Sequence, residues 1–210
     1  MTKKEEWLAG TRSAVPIMLG YVPVGIAYGV MARQAGLNTW QTVLMSLTVY
    51  GGASEMMAAG MVAQGAAVLT IVLTTFILNL RHIIMSTCVF NQMQGGRLPV
   101  RMLAAFGVTD ETFAVYTTTA NAPRTPRYFF SMAFCSYLSW ALGSWLGAIA
   151  TGLLPPLITA ALGISLYAMF IGLLMPGLHG NGRLAALVVL TALCNTVLCN
   201  VVQLDSGLSL

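Results

Sequence analysis

The sequence predicts an all-α fold, a polytopic integral membrane bundle of about seven spans with discontinuous first and second helices. Three observations carry that expectation. Hydrophobic residues make up 57% of the 210-residue chain and charged residues only 8%, against about 25% charged in an ordinary soluble domain. The apolar residues gather into seven runs, at about 13–33, 42–64, 66–92, 102–121, 128–151, 155–178 and 183–202, each able to cross about 30 Å of hydrocarbon. The first two runs carry proline or paired glycines at their middles, residues that weaken a helix there.

The segment before the first run, residues 1–12, holds Lys3, Lys4 and Arg12 beside Glu5 and Glu6, with no small-residue cleavage site after it. It reads as a retained cytoplasmic tail. The rest of the chain, to residue 210, reads as a single transmembrane domain, because the loops are short and none could hold its own core. A net charge of +4 with no basic face interleaved with aromatics does not suggest a nucleic-acid partner. The four cysteines, Cys88, Cys135, Cys194 and Cys199, lie inside apolar runs without C-x-x-C spacing, so neither a disulfide framework, a zinc site nor another metal or cofactor is expected.

If all seven runs span and the N-terminus is inside, Lys3, Lys4, Arg12, Arg124, Arg127 and Arg183 face the cytoplasm and Arg33, Arg97 and Arg101 face outward. The positive-inside rule favours that orientation. A re-entrant fourth run would move Arg97 and Arg101 or flip the later segments.

Run one is interrupted by Pro16 and by Gly20-Tyr21-Val22-Pro23-Val24-Gly25. Proline removes a backbone donor and clashes with the preceding turn, so a kink or a full break is expected at Pro23. Run two holds Tyr50-Gly51-Gly52-Ala53-Ser54-Glu55 at its centre. Close helix packing would explain the glycines, but a carboxylate at that depth costs a few kcal/mol unless paired or neutralised. Run three carries Asn79-Leu80-Arg81-His82 near its midpoint. On a helical wheel Thr75, Asn79, His82 and Ser86 fall within about 60° of one another, while Arg81 points roughly 120° away. The plainer readings are a structural ion pair for Arg81 and a hydrogen-bonded core histidine for His82.

Run four, the least hydrophobic, places Thr109-Asp110-Glu111 at its centre and Thr117 to Thr119 toward its end; a surface helix is the competing reading. Run five repeats small residues at Ser139, Gly143, Gly147 and Thr151, a spacing that lets helices approach closely and marks scaffold. Run six begins after Pro155-Pro156, carries Gly163, Ser165 and Tyr167, and ends at Pro176-Gly177. Run seven puts Thr191, Asn195 and Cys199 on one face.

Four runs thus place their least lipid-like residues at one depth: Pro23, Glu55, Asn79 to His82, and Asp110 with Glu111. A midplane site built from broken helices is the arrangement expected of secondary transporters. A half-helix N-terminus offers unpaired N–H groups to a carboxylate. The candidate substrate-binding residues are Pro23, Gly25, Gly51, Gly52, Ser54, Glu55, Asn79 and His82. The candidate proton-coupling or ion-pair residues are Glu55, Arg81, His82, Asp110 and Glu111, with Arg81 expected to face Glu55 or Asp110. Three carboxylates against one guanidinium cannot remain uncompensated in a low-dielectric site, so at least one acid is expected to carry a proton. An enzyme using Ser54, His82 and Asp110 is disfavoured, because no glycine follows the serine as in a nucleophile elbow. A passive channel is a further alternative.

Pro23-Val24-Gly25-Ile26-Ala27-Tyr28-Gly29, Gly51-Gly52-Ala53-Ser54-Glu55, Asn79-Leu80-Arg81-His82 and Thr109-Asp110-Glu111 with Phe113-Ala114 together resemble the AzlC family of branched-chain amino acid permeases. The resemblance implies export of valine, leucine, isoleucine and analogues across the bacterial inner membrane, together with a small hydrophobic AzlD-type partner subunit. It also implies a further apolar segment after Asp205. Glu55 departs from the glutamine more often carried at that position in the family. The runner-up reading is a carrier or channel for another small neutral amino acid or a monocarboxylate.

Overall fold

The computed structural model describes residues 2–153 and 182–200, together with 155, 157, 161, 171, 175 and 178. Most of the expected sixth run, including Gly163, Ser165, Tyr167 and Pro176-Gly177, and the side chains of Asn195 and Cys199 in the seventh, lie outside the described residues. The described chain is helical: α1 (Lys3–Gln34), α2 (Thr39–Val49), α3 (Gly52–Ala63), α4 (Val68–Asn79), α5 (Arg81–Gln92), α6 (Leu98–Phe106), α7 (Asp110–Thr118), α8 (Pro126–Ala150) and α9 (Gly182–Asn200).

The expected break in the first helix is absent, since α1 runs for 32 residues through both Pro16 and Pro23. It also absorbs residues 3–12, expected as a tail, through a capping box between Thr2 and Glu5. Packing against α8 accounts for its continuity. Gly10 lies against Tyr128 and Ser131, Gly25 against Trp140 and Ser144, and Gly29 against Ser144 and Ala148. Residue numbers rise together along this contact, so α1 and α8 are parallel. A Cβ on Gly25 would sit 3.0 Å from the Trp140 carbonyl oxygen, and one on Gly143 would sit 2.7 Å from that of Val22. Close approach along the whole interface offsets the two backbone donors that proline removes.

α2 starts at an Asn38–Gln41 capping box and runs back alongside α1. Tyr28 Oη donates to the Thr42 carbonyl at 3.1 Å, Ser46 Oγ to Ser144 Oγ at 2.9 Å, and Tyr137 Oη to the Leu47 carbonyl at 2.8 Å. The helix stops halfway at Tyr50, whose φ of 48° and ψ of 48° are left-handed, an uncommon conformation for a residue with a Cβ. After Gly51, α3 turns back toward the face that α2 left.

That reversal follows from the next element. Residues 68–92 form a 25-residue unit long enough to cross a membrane, α4 and α5 meeting in a tight turn in which Leu80 N donates to the Ile77 carbonyl at 3.2 Å. Its far end lies at the N-terminal face, where Gln94 N donates to the Arg124 carbonyl at 2.6 Å and Gln94 and Gly96 share a crevice with Trp7 and Arg127. Its near end, and with it the close of α3, is therefore on the opposite face. Ser54 and Ala58 of α3 line one crevice with Ile71 and Thr75 of α4.

The fourth run reverses in the other direction. α6 leaves the N-terminal face beside Pro126 and reaches Tyr50 and Tyr137 at Phe106, with ring centroids 5.9 and 5.7 Å apart. α7 then returns, so that Tyr116 packs edge-on against Phe129 at 5.3 Å and lies under the Arg124 guanidinium at 4.9 Å. Runs two and four, expected as spans, are re-entrant hairpins. Among the described residues three helical units are long and apolar enough to cross a membrane: α1, α4–α5 and α8. A run's length counts apolar residues and carries no sign of direction.

A helix followed by a hairpin thus occurs twice, as α1 with α2–α3 and as α4–α5 with α6–α7, in opposite orientations. The tips match in sequence, Tyr50-Gly51-Gly52-Ala53-Ser54-Glu55 against Phe106-Gly107-Val108-Thr109-Asp110-Glu111. Each has an aromatic residue, then glycine, then a glutamate at the same offset. Inverted repeats of this kind place both tips at mid-depth. Arg97 and Arg101, expected on the outer side, join Lys3, Lys4, Arg12, Arg124 and Arg127 toward the N-terminal face, and Arg33 lies near the other. Much of the α4–α5 surface is apolar and exposed, including Val68, Val72, Phe76 and Ile84, as suits a lipid-facing helix.

Candidate functional site

The hairpin tips meet the α4–α5 junction around a small polar cavity. Tyr50, Gly51, Gly52 and Ala53 contribute one wall, Thr109, Asp110 and Glu111 a second, Arg81 and His82 a third, and Tyr21 and Trp140 the remainder. The cavity offers about 20 Å³ to the centre of a water molecule, room for one or two waters, each needing at least ~10–15 Å³. Its opening lies beside the Arg81–Asp110 pair, whose side chains are 36% and 27% exposed.

The first tip is organised by Glu55, which is fully buried. Its carboxylate accepts from Gly51 N at 2.9 Å and from Trp140 Nε1, which lies 3.3 Å from both oxygens. Ser54 Oγ donates to the Gly51 carbonyl at 2.8 Å. The amides of Gly52, Ala53 and Ser54 occupy the first turn of α3, where a helix supplies no acceptor. Gly52 is required by contact, because a Cβ there would approach Trp140 Cη2 to 2.9 Å.

The second tip is capped by two threonines: Thr112 Oγ1 accepts from Thr109 N at 2.8 Å and donates to the Gly107 carbonyl at 2.9 Å. Tyr21 Oη donates to Glu111 Oε2 at 2.6 Å and shares a hydrogen bond with Thr109 Oγ1 at 2.7 Å. Arg81 Nη2 meets Asp110 Oδ2 at 2.9 Å, joining the start of α5 to this tip. Among the described residues neither Glu55 nor Glu111 has a cationic partner within ion-pair distance.

Most of the expected site residues converge. Gly51, Gly52, Arg81, His82, Asp110 and Glu111 line the cavity; Ser54 and Glu55 stand behind it, held by Gly51 and Trp140. Asn79 lies beside Gly51, with its Oδ1 3.6 Å from where a Gly51 Cβ would stand. That Oδ1 is buried and has no hydrogen-bond partner among the described residues, while the Asn79 carbonyl lies 3.1 Å from His82 Nδ1. Arg81 takes Asp110, one of its two expected partners, yet it lines the same cavity as His82, so the wheel separated the pair more than the fold does. Pro23 and Gly25 do not join the cavity lining: Gly25 faces α8. The serine, histidine and acid of the disfavoured enzyme reading are not linked, because each is engaged elsewhere, Ser54 with Gly51, His82 with Asn79 and Asp110 with Arg81.

Tyr21, Tyr50 and Thr109 fall inside the motifs read from the sequence but were not named as site residues, and Trp140 was not singled out at all. Tyr50 and Thr109 sit directly at the helix breaks, a signal that could have found them. Tyr21 and Trp140 look like ordinary apolar-run residues until α1 and α8 are brought together.

Hairpins entering from opposite faces and meeting at a small polar cavity are the organisation of a membrane transport protein. This chain belongs to the AzlC protein family, whose model matches residues 16–154, a range that includes both hairpins and all of α8. It is 32% identical over 188 residues to an uncharacterized membrane protein of Archaeoglobus fulgidus, covering 89% of this chain and 82% of that one. It is 31% identical to the inner membrane protein YgaZ of Escherichia coli, covering 80% and 72%. The branched-chain amino acid transport protein AzlC of Bacillus subtilis is 27% identical, covering 71% of this chain and 61% of that protein. No solved structure matches the chain.

Proposed function

We propose that this chain is the large subunit of a secondary transporter that exports branched-chain amino acids across the bacterial inner membrane, coupled to protons and assembled with a small AzlD-type subunit. The meeting of two oppositely directed hairpin tips at one small polar cavity carries this reading. Membership of the AzlC family and the name of the Bacillus subtilis relative support the substrate class.

A zwitterion suits the donors and acceptors there. Its carboxylate would take the free first-turn amides of Gly52 and Ala53 and the Arg81 guanidinium, and its ammonium would lie toward Asp110 and Glu111. Asn79 and His82 complete the wall near Gly51. Access would alternate as one hairpin and then the other withdraws from the centre. Coupling is assigned to Glu55, Asp110 and Glu111, with His82 beside them. Glu55 and Glu111 are buried without a cation, so each is stable only while it holds a proton or meets a charge during the cycle. Concentration of Lys and Arg at the N-terminal face supports a cytoplasmic N-terminus.

The deciding experiment reconstitutes the chain with and without its partner subunit in liposomes and measures leucine and valine counterflow, with and without an imposed pH gradient. Accelerated exchange of both amino acids is expected. Absence of accelerated exchange in every arrangement rejects the assignment, and exchange indifferent to the gradient rejects proton coupling alone.

A further inference from the structure

We propose that an apolar groove adjoining the polar cavity is the pocket for the substrate's side chain, and that the Tyr50 ring is the partition between them. This rests on the amino-acid transport reading above. The polar cavity, at about 20 Å³, can hold charged head-group atoms only in part and leaves nowhere for an aliphatic chain. On the other side of Tyr50 lies an open apolar groove of about 280 Å³, room enough for an aliphatic side chain. It is bounded by Leu103, Phe106, Phe130, Ala133, Phe134 and Tyr137, with no charged side chain on its wall.

Tyr50 is the side chain common to cavity and groove. It is 4% exposed, and its backbone is left-handed at φ 48°. That conformation is strained for a residue with a Cβ and is relieved by movement, and it falls at the hinge of a hairpin. Ring contacts to Tyr137 at 4.9 Å, Phe106 at 5.9 Å and Tyr21 at 6.4 Å hold it in the closed position. When Tyr50 swings aside, a zwitterionic head at the polar cavity and an apolar chain in the ring-lined space become continuous. Polar side chains are disfavoured, because the space would leave their donors unpaired.

The test uses the full chain, with and without its partner subunit, in lipid nanodiscs and equilibrium binding of radiolabelled leucine, alanine and phenylalanine. Leu103 and Phe134 lie on the rim, 65% and 52% exposed, so changes there leave the interior packing in place. Leu103→Trp, which fills the space, is expected to weaken leucine binding about 10-fold while changing alanine binding far less. Phe134→Ala, which enlarges it, should raise phenylalanine binding relative to leucine. If the wild type binds leucine but neither substitution moves these ratios, the pocket assignment is overturned and the space is a lipid-filled crevice. If the wild type binds no amino acid, the transport reading fails and the pocket falls with it.

Discussion

Trp140 Nε1 stands 3.3 Å from both carboxylate oxygens of Glu55, tying the middle of α8 to the first hairpin tip. The indole also packs against Tyr21 at 5.3 Å and Tyr28 at 6.0 Å, so one side chain joins the tip to both long helices. Trp140→Phe keeps most of that packing and removes the donor. Its expected cost is about 1–3 kcal/mol, the penalty for an unsatisfied buried acceptor, read as a lowered unfolding midpoint in detergent. Glu55→Gln should differ, since its amide oxygen still accepts from Trp140 but the side chain no longer exchanges a proton. That variant is expected to fold and exchange leucine with reduced response to a pH gradient. A normal gradient response would remove Glu55 from the coupling.

The Arg81–Asp110 contact at 2.9 Å links the α4–α5 unit to the opposite hairpin. Single variants Arg81→Ala and Asp110→Asn each leave one charged or polar partner facing the cavity alone, and both are expected to lower leucine counterflow at least ~10-fold. With 36% and 27% of the two side chains exposed, solvent screening keeps the stability coupling near ~0.5–1 kcal/mol in a double-mutant cycle. Independent, additive effects would show that the pair does not act together.

Charge was the legible signal in this chain. Glu55, Arg81, Asp110 and Glu111 stand out because formal charge in an apolar run is costly wherever the run folds, and all four are at or directly behind one cavity. Trp140 and Tyr21 gave no such signal, since an aromatic in an apolar run already has a sufficient explanation in packing. Their roles depend on α1 and α8 lying side by side, a contact between distant parts of the sequence. Pro23 misled in the opposite sense: a local helix breaker was outweighed by the interface along Gly10, Gly25 and Gly29. Run length identified the apolar stretches, but the reversals at Tyr50-Gly51 and at Gly107 to Thr109 leave composition unchanged.

Gly25 offers a way to separate packing from binding. It was expected at the substrate site, yet a Cβ there would meet the Trp140 carbonyl oxygen at 3.0 Å and Gly143 Cα at 3.2 Å. Gly25→Leu is expected to destabilise by about 1–3 kcal/mol through overpacking, while Gly25→Ala costs less. Leucine affinity of the folded fraction should stay near the wild-type value in Gly25→Ala. A loss of affinity without loss of stability would return Gly25 to the binding site.

The hairpin topology makes a prediction that seven sequential spans contradict. In the fold described here, residues 94–96 lie on the same face as the N-terminus, through Gln94 to Arg124 and the crevice with Trp7. Residues 64–67 lie on the other face. If runs one to three all crossed, those two loops would exchange sides relative to the N-terminus. Cys88, Cys135, Cys194 and Cys199 would first be replaced by serine or alanine, and single cysteines then placed at Gly95, Gly65 and Thr2. A membrane-impermeant maleimide applied to sealed, uniformly oriented vesicles should label Gly95→Cys and Thr2→Cys from one side and Gly65→Cys from the other. Labelling of Gly65→Cys together with Thr2→Cys, and of Gly95→Cys from the opposite side, would overturn the paired hairpins and the midplane cavity built from their tips.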